Sequence, residues 1–348
     1  MLDSDTPKRP AGDLMRALPA DLLERPAPEG VRRLALAQLH DLILARRRLD
    51  DPGDAKALHD FRVALRRLRS VLRAYRGVLD DSVSRKIRRR LSCMARLSGV
   101  TRDADVRLEW VGERRDAIRE AGNPGLPWVE QQLRRERRAG ERNLRRELEL
   151  QFAVTTATLR RRLMHYRVML GPRENPAVPS TRELVSSTLL DSIRTLRARL
   201  DAPRSAGDAR ALHVARIASK RLRYALDPLE EGGFASKRLA RSAAAAVARL
   251  VLLQDELGTI NDAHLFRRWL RRGAVEGSPR LANLNLLTRG MQRLLREQAA
   301  ASYDLVTEPA SRNRLQRVLG ALEASARAML PRRSSPGILG SDESARPE

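Results

Sequence analysis

The stretch GDAKALHDFRVALRRLRSVL, residues 53–72, decides the fold because the chain repeats it. A second stretch, GDARALHVARIASKRLRYAL at residues 207–226, matches it at 12 of 20 positions with a constant offset of 154 residues. Each stretch reads as one helix with a leucine-rich side and an arginine-rich side. The sequence therefore predicts a duplicated helical unit.

One face of the first repeated helix carries a regular series of basic side chains, which we call the first ladder. At about 100° per residue, spacings of 3 and 4 residues place the series within an arc of about 80°. Leucines and Phe61 fill the adjoining arc, so we expect that arc to face the core. The first ladder consists of His59, Arg62, Arg66, Arg69 and Arg73.

The second copy repeats this face. Asp227 occupies the position that corresponds to Arg73, so the second ladder lacks the last cation. Like charges at these spacings destabilise an isolated helix, and an extended anion with regularly spaced phosphates would relieve the repulsion. Arginine suits this role because its guanidinium can contact two phosphate oxygens. The second ladder consists of His213, Arg216, Lys220 and Arg223.

The alternative is a solvated face whose neutralising acids come from neighbouring helices. Two copies in register favour an anion-binding face, because the repulsion between like charges then occurs in both helices. The paired histidines support the same interpretation, since a bound anion would raise the pKa of each imidazole. His40 and His165 have no counterpart in the other copy, and we expect them to be structural.

A second pair of matching segments follows the repeated helices: GVTRDADV, residues 99–106, and GTINDAHL, residues 258–265. Each begins with a glycine, which predicts a helix end. Asp103 and Asp262 would then begin the next helices as structural acids, where a carboxylate favours the helix dipole. Asp105 is replaced by His264 in the second copy, which argues against a paired-carboxylate metal site. We expect neither a metal nor a cofactor.

The composition indicates an all-α protein with a polyanionic partner. Of 348 residues, 42% are hydrophobic but only 3% aromatic, and leucine, alanine and arginine dominate. There are 68 basic and 43 acidic residues, for a net charge of +25. Such an excess attracts polyanions, although a coding bias towards arginine would contribute to it. The placement of the arginines must therefore identify the partner.

The chain divides into an arm, two helical halves and a tail. We expect a poorly ordered arm over 1–28, helical bundles over 29–170 and 180–330, and a disordered tail over 331–348. The Pro- and Gly-rich segment 171–180 marks the boundary. Asp54 and Asp208 are predicted N-caps of the repeated helices. Other helices are predicted over 82–98, 103–120, 128–168, 181–201, 236–257, 261–273, 280–305 and 310–330.

The cellular location follows from what the sequence lacks. Cys93 is the only cysteine, so neither a disulfide framework nor a cysteine-based zinc site is expected. No signal peptide and no apolar stretch of about 18 residues is evident. We expect a soluble cytoplasmic protein that does not enter membranes.

These motifs resemble the CHAD family, whose name refers to histidines in an α-helical domain. HDFRVALRRLR and HVARIASKRLR are similar to its two signature helices, and RDADV and NDAHL to the Asp-containing segments that follow them. The resemblance covers about residues 30–330. It implies two antiparallel helical bundles with pseudo-twofold symmetry, basic helices that line a cleft, and binding of inorganic polyphosphate.

The resemblance also implies site residues and a cellular context. The family signature falls on His59, Arg62, Arg66 and Arg69, on His213, Arg216, Lys220 and Arg223, and on Arg67 and Arg221, which lie off both ladders. Relatives are linked to storage granules of polyphosphate or polyester. Some carry an N-terminal triphosphate tunnel-type domain, for which residues 1–28 are too short, so triphosphate hydrolysis is not implied.

The leading hypothesis is therefore non-catalytic polyphosphate binding. A protein that grips the backbone of duplex nucleic acid is the alternative, but no helix-turn-helix, zinc or RNP motif is evident and aromatics are few. An enzyme is disfavoured because phosphoryl transfer uses metal-binding carboxylates, and no GxxxxGK[ST] loop occurs. A helical scaffold whose cations contact a protein or granule surface is a further alternative.

Overall fold

A computed structural model describes residues 18–51, 53–54, 56–120, 125–165, 178–231, 235–273 and 288–331. These ranges form helices without a named strand, which confirms the all-α class. The first half contains α1 (Ala27–Arg48), α2 (Ala57–Ala74), α3 (Arg76–Leu79), α4 (Arg85–Glu113), α5 (Arg115–Glu120), α6 (Leu126–Glu147) and α7 (Ala153–Met164), with a π-helical turn (Leu148–Phe152) before α7. The second half contains α8 (Thr181–Leu200), α9 (Ala209–Glu231), α10 (Lys237–Gly273), α11 (Arg289–Thr307) and α12 (Pro309–Arg327).

The two halves have the same packing order. In the first half, α1 packs on α2 and α7, α2 packs on α4, and α4 packs on α6. In the second half, α8 packs on α9 and α12, α9 packs on α10, and α10 packs on α11. The halves meet where α1 contacts α8 and where α2 contacts α9. The repeated helices α2 and α9 are thus neighbours.

The hydrophobic core forms two clusters, and each cluster includes residues of both halves. The larger cluster joins Phe61 and Leu68 of α2 to Leu222 of α9. The smaller cluster joins Trp110 of α4 to Phe266 of α10, whose rings meet edge to face at 5.6 Å. The leucine stripe of α2 is buried as predicted. The two halves therefore share both clusters.

The helices α4 and α10 continue through the glycines that were predicted to end them. They are 29 and 37 residues long, and Gly99 and Gly258 lie within them. A glycine costs about 1 kcal/mol in a helix, which packing can outweigh, and both helices bury residues on either side of the glycine. Asp103 and Asp262 therefore lie in helix interiors, and the prediction that they begin helices is wrong.

Of the two predicted N-caps, Asp54 differs from the observed one, whereas Asp208 directly precedes its helix and its carbonyl oxygen accepts a hydrogen bond from the N–H of Leu212 at 3.0 Å. Lys56 is the N-cap of α2, so the assignment of this position to Asp54 is wrong. Asp54 instead accepts a hydrogen bond from the backbone N–H of Lys56 at 3.1 Å. Asp208 directly precedes α9, but its carboxylate accepts a hydrogen bond from the backbone N–H of Arg204 at 2.6 Å, upstream of the helix.

A close approach of α1 and α8 also joins the halves. A Cβ atom at Gly30 would lie 2.0 Å from the hydroxyl oxygen of Thr181, so only glycine permits this approach. The Thr181 hydroxyl donates a hydrogen bond to the carbonyl oxygen of Arg25 at 2.8 Å. The predicted boundary segment 171–180, the arm and the tail fall largely outside the described residues.

Candidate functional site

Two polar contacts between α2 and α9 bring the ladders side by side. Arg66 of α2 donates a hydrogen bond from Nη1 to the hydroxyl of Tyr224 of α9 at 2.9 Å. Arg67 forms an ion pair with Asp227, in which Nε lies 2.8 Å from Oδ2. Both contacts join residues that are about 160 positions apart in the chain. We refer to the two adjacent series as the paired ladders.

The first ladder is anchored to α4 by neutral groups. The guanidinium of Arg62 donates a hydrogen bond to the carbonyl oxygen of Ser98, and Arg69 donates to the Ser92 hydroxyl at 3.3 Å. Burial, followed by the charge of Arg66, lowers the pKa of Arg62 to about 10. Burial also lowers the pKa of Arg69. The outermost member, Arg73, is exposed.

Within the described ranges, no ladder arginine forms an ion pair with a carboxylate. The charge that holds Arg62 in its protonated state comes chiefly from Asp103, which lies nearby without pairing. A cation that is removed from water without an ion pair is costly, and an anionic ligand would reduce that cost. The first ladder is therefore suited to an anion.

His59 lies at the beginning of the first ladder on an exposed position. Partial removal from water is the main cause that lowers the pKa of its imidazole. Asp60 acts in the opposite direction, and the charges of Arg102, Arg66 and Arg62 lower the pKa further. An anion bound between these arginines would reverse the effect and favour the protonated imidazole.

The second ladder has different partners at its beginning. His213 Nδ1 lies 2.8 Å from the amide oxygen of Asn261 on α10, so this nitrogen donates. Burial lowers the pKa of Arg216, while Asp262 raises it and Arg66 lowers it. The guanidinium carbon of Arg223 lies 5.2 Å from the centre of the Tyr224 ring.

Lys220 occupies the centre of the second ladder. Burial lowers the pKa of its amine to about 6, and the charges of Arg66 and Arg216 add to the effect. Arg66 belongs to α2 and Arg216 to α9, so both ladders act on the same amine. This shared influence on Lys220 indicates that the two ladders lie close to each other around this amine.

Two aspartates lie beside the ladders on α4 and α10. Burial raises the pKa of Asp103, the charge of Arg107 lowers it, and Asp262 raises it. Asp103 and Asp262 line a small cavity of about 120 Å³ together with Arg107 and Trp110. Within the described part of the chain, no cluster of three or more His, Cys, Asp or Glu side chains could hold a metal ion.

The two signature arginines that lie off the ladders have separate environments. Arg67 is committed to the ion pair with Asp227, in which the two side chains are 15% and 6% exposed. Arg221 is exposed, and partial burial and the charge of Arg73 lower its pKa. Arg67 thus has a structural partner, whereas Arg221 faces another cation.

Several residues at the site had no signal in the sequence. Tyr224 and Asn261 are not repeated, since serine and arginine stand at the corresponding positions of the first copy. The corresponding residues Asp105 and His264 also have different partners in the two copies. Asp105 pairs with Arg137 at 2.8 Å, and His264 Nε2 lies 2.7 Å from the carbonyl oxygen of Ala206.

The fold and the paired ladders define a helical protein with two duplicated basic helices. The family model described as "CHAD domain" matches residues 32–271, which is more than half of the chain. The chain belongs to the CHAD domain family. No curated protein matches it. None of the helices described here is both long and apolar enough to cross a membrane.

Two solved structures are similar in fold. The CHAD domain from the plant Ricinus communis is 20% identical, with a TM-score of 0.61 over 90% of this chain and 98% of that chain. PptA from Streptomyces chartreusis is 16% identical, with a TM-score of 0.56 over 85% of this chain and 99% of that chain. At these identities, the similarity establishes the shared fold alone.

Proposed function

We propose that this chain binds inorganic polyphosphate along the paired ladders and does not catalyse a reaction. The observation that carries the proposal is the adjacency of two arginine series whose members lack carboxylate partners within the described residues. Membership of the CHAD family, which is associated with polyphosphate, supports the same ligand class.

The spacing of the ladders suits a polymer of phosphates. Successive members rise by about 4.5 to 6 Å along the helix axis, and each guanidinium can contact two oxygens of one phosphate. Arg66 lies at the junction, since it bonds to Tyr224 and acts electrostatically on Lys220 and Arg216. A chain of phosphates could thus contact both ladders at once.

The absence of catalysis is part of the proposal. Phosphoryl transfer commonly uses carboxylates that hold metal ions against the phosphates. Here the two nearby carboxylates, Asp103 and Asp262, lie among Arg62, Arg107 and Arg216, whose charges already act on them. We extend the proposal to a cytoplasmic protein that associates with polyphosphate or polyester granules, which rests on the family resemblance.

The experiment that tests the proposal is a comparative titration. Long-chain polyphosphate and duplex DNA would be titrated at matched phosphate concentration and about 0.15 M salt, because affinity for polyanions depends steeply on salt. We expect tighter binding of polyphosphate, and we expect the variant His59→Ala, Arg62→Ala, His213→Ala, Arg216→Ala to lose that preference. Assays for released phosphate with magnesium or manganese are expected to stay at background.

A matched control removes the same number of arginines at positions outside the ladders. Arg194→Ala and Arg293→Ala remove two arginines whose side chains are 78% and 63% exposed. This control is expected to bind like the parent. Equal affinity for DNA and polyphosphate, or a ladder variant that behaves like the control, would favour the nucleic-acid alternative or a diffuse basic surface.

A further inference from the structure

An open groove lies between the C-terminal part of α1 and the helix α7. Its volume is about 580 Å³, and its described lining comes from α1, from the end of the π-helical turn and from α7. Pockets of about 300 to 1,000 Å³ are of the size that holds small-molecule ligands. No member of the paired ladders is among these lining residues. We call this site the α1/α7 groove.

The α1/α7 groove has an apolar lining. Phe152 is 8% exposed, and the centre of its ring lies 6.1 Å from that of Phe61 in the core. Thr156 is 4% exposed, and its hydroxyl already donates a hydrogen bond to the carbonyl oxygen of Phe152 at 2.9 Å. Ala153 and Ala157 are exposed, and their small side chains leave the space above them open. The other apolar lining residues are Ile43 and Met164.

The remaining lining residues are basic. Arg46 pairs with Asp50 at 2.6 Å. Arg47, Arg160 and Arg161 are exposed and form no ion pair with a carboxylate that the structure describes. None of the described lining residues is acidic, so a ligand would have to supply the negative charge. The basic lining residues are Arg46, Arg47, Arg160, Arg161 and His165.

This combination of an apolar lining and positive charge matches a ligand with an alkyl chain and one anionic head group. The chain would shield apolar surface from water, which is favourable. A guanidinium can hold two oxygens of a carboxylate or of a phosphate. A polyphosphate chain is a poor match for the apolar lining. A flat bilayer is also a poor match, because Phe152 and Thr156 are recessed rather than projecting.

We propose that the α1/α7 groove binds single-chain anionic amphiphiles, namely alkyl carboxylates or alkyl phosphates. The alkyl chain lies against Phe152, Ala153 and Ala157, and the anionic head contacts Arg160 or Arg161. The proposal is independent of polyphosphate binding, because the groove and the paired ladders share no described lining residue.

The test is calorimetric titration of the full chain with amphiphiles below the concentrations at which they form micelles. Decanoate and decyl phosphate are expected to bind, and the tighter of the two identifies the head group. Decanol, which is uncharged, and butyrate, which has a short chain, should bind at least about tenfold more weakly. Each methylene removed from decanoate should weaken binding by up to about fourfold. An affinity that is independent of charge or of chain length would overturn the proposal.

A variant that fills the groove tests its location. Ala157→Leu adds a larger side chain to the open space while keeping a high helix propensity. It should weaken decanoate binding at least about tenfold and leave polyphosphate binding unchanged. Ala300→Leu, at an exposed position of α11, is the matched control and should bind decanoate like the parent. Equal decanoate affinities for the two variants would overturn the proposal.

Two neighbouring arginines test the head group without filling the groove. Arg161→Ala removes a lining cation and should weaken decanoate binding about three- to fivefold, because exposed ion pairs contribute modestly. Arg162→Ala removes an exposed arginine that does not line the groove, and it should bind like the parent. Equal effects would indicate diffuse attraction to a basic surface and overturn the site. This pair also decides the question if Ala157→Leu does not fold.

Two other occupants of this face would give different results. Leu150 and Val154, in the π-helical turn and α7, are 60% and 57% exposed and would be available to a bilayer. Co-sedimentation with phosphatidylglycerol vesicles, without binding of monomeric decanoate, would assign the face to a membrane and overturn the proposal. A parent dimer that Ala157→Leu dissociates in sedimentation velocity would assign the groove to a second copy and overturn it as well.

Discussion

The repeated helices α2 and α9 share a pattern of residues, but corresponding residues have different partners. Arg67 of α2 pairs with Asp227 of α9 at 2.8 Å. The residues that correspond to this pair, Arg221 and Arg73, are both arginines, and the charge of Arg73 lowers the pKa of Arg221. Because Asp227 stands where the first copy has Arg73, one contact between α2 and α9 is an ion pair and the corresponding contact brings two cations together.

A second difference concerns the centre of each ladder. Arg66 of the first ladder donates a hydrogen bond to Tyr224, whereas burial lowers the pKa of the corresponding Lys220 to about 6. The two copies thus share the basic face but differ at its centre. The first copy supplies a contact between the halves, and the second supplies an amine with a lowered pKa.

The largest effect is expected when the ion pair between the halves is broken. Asp227→Ala leaves the guanidinium of Arg67 buried without its carboxylate, which should lower the free energy of unfolding by about 3 kcal/mol. Urea unfolding followed by circular dichroism would measure the change. The double variant Arg67→Met, Asp227→Met is the control and should lose much less. A loss for Asp227→Ala below about 1 kcal/mol would contradict a structural role for the pair.

An intermediate effect is expected for the two central residues, and it should depend on pH. Arg66→Ala should weaken polyphosphate binding about tenfold at pH 8, which is about 1.4 kcal/mol. At pH 8, Lys220→Ala should lower the affinity for polyphosphate less than Arg66→Ala does, because the amine is unprotonated in the free protein and must take up a proton to contribute. Calorimetric titrations at pH 6 and pH 8 would measure both variants.

The sign of this pH dependence follows from the lowered pKa of Lys220. A bound phosphate raises the proton affinity of the amine, so binding takes up protons and the parent's affinity should fall between pH 6 and pH 8. Lys220→Arg, which stays charged, should reduce this fall. Identical pH profiles for the parent and Lys220→Arg would show that Lys220 does not titrate in the binding range.

The smallest effect is expected at the position that corresponds to Arg67. Arg221→Ala removes an exposed cation near Arg73 and should raise the free energy of unfolding by at most about 0.5 kcal/mol, because solvent screens the repulsion. The same urea experiment measures it, and Arg194→Ala is a matched exposed control. A substantial destabilisation would mean that Arg221 has a structural partner like that of Arg67.

The helices and the basic faces could be predicted because their signals are local. The spacing of His59, Arg62 and Arg66 repeats within a few residues, and the adjoining stripe that contains Phe61 and Leu65 is buried as expected. Periodicity of this kind depends on the geometry of one helix. The constant offset of 154 residues then extended the prediction to the second copy.

The contacts between the halves could not be predicted because they depend on packing between distant segments. The bond between Arg66 and Tyr224 has no counterpart in the repeat, since Ser70 corresponds to Tyr224. The sequence shows Asp227 only as a missing cation of the second ladder, and the family resemblance places its partner Arg67 among the ligand-binding residues. The continuity of α4 through Gly99 likewise depends on burial in both cores, which outweighs the local preference of glycine.

The continuity of α4 and α10 has a mechanical consequence. At about 1.5 Å per residue, the two helices measure ~44 Å and ~55 Å, and each is fixed in both hydrophobic clusters. Asp103 lies on the part of α4 between the two clusters, whereas Asp262 lies where α10 packs in the smaller cluster. These two long helices support α2 and α9, which pack on them and carry the ladder arginines. Because the helices that carry the arginines are held in place before binding, the protein would lose little conformational entropy when it binds a ligand. More of the free energy of the contacts would then contribute to affinity.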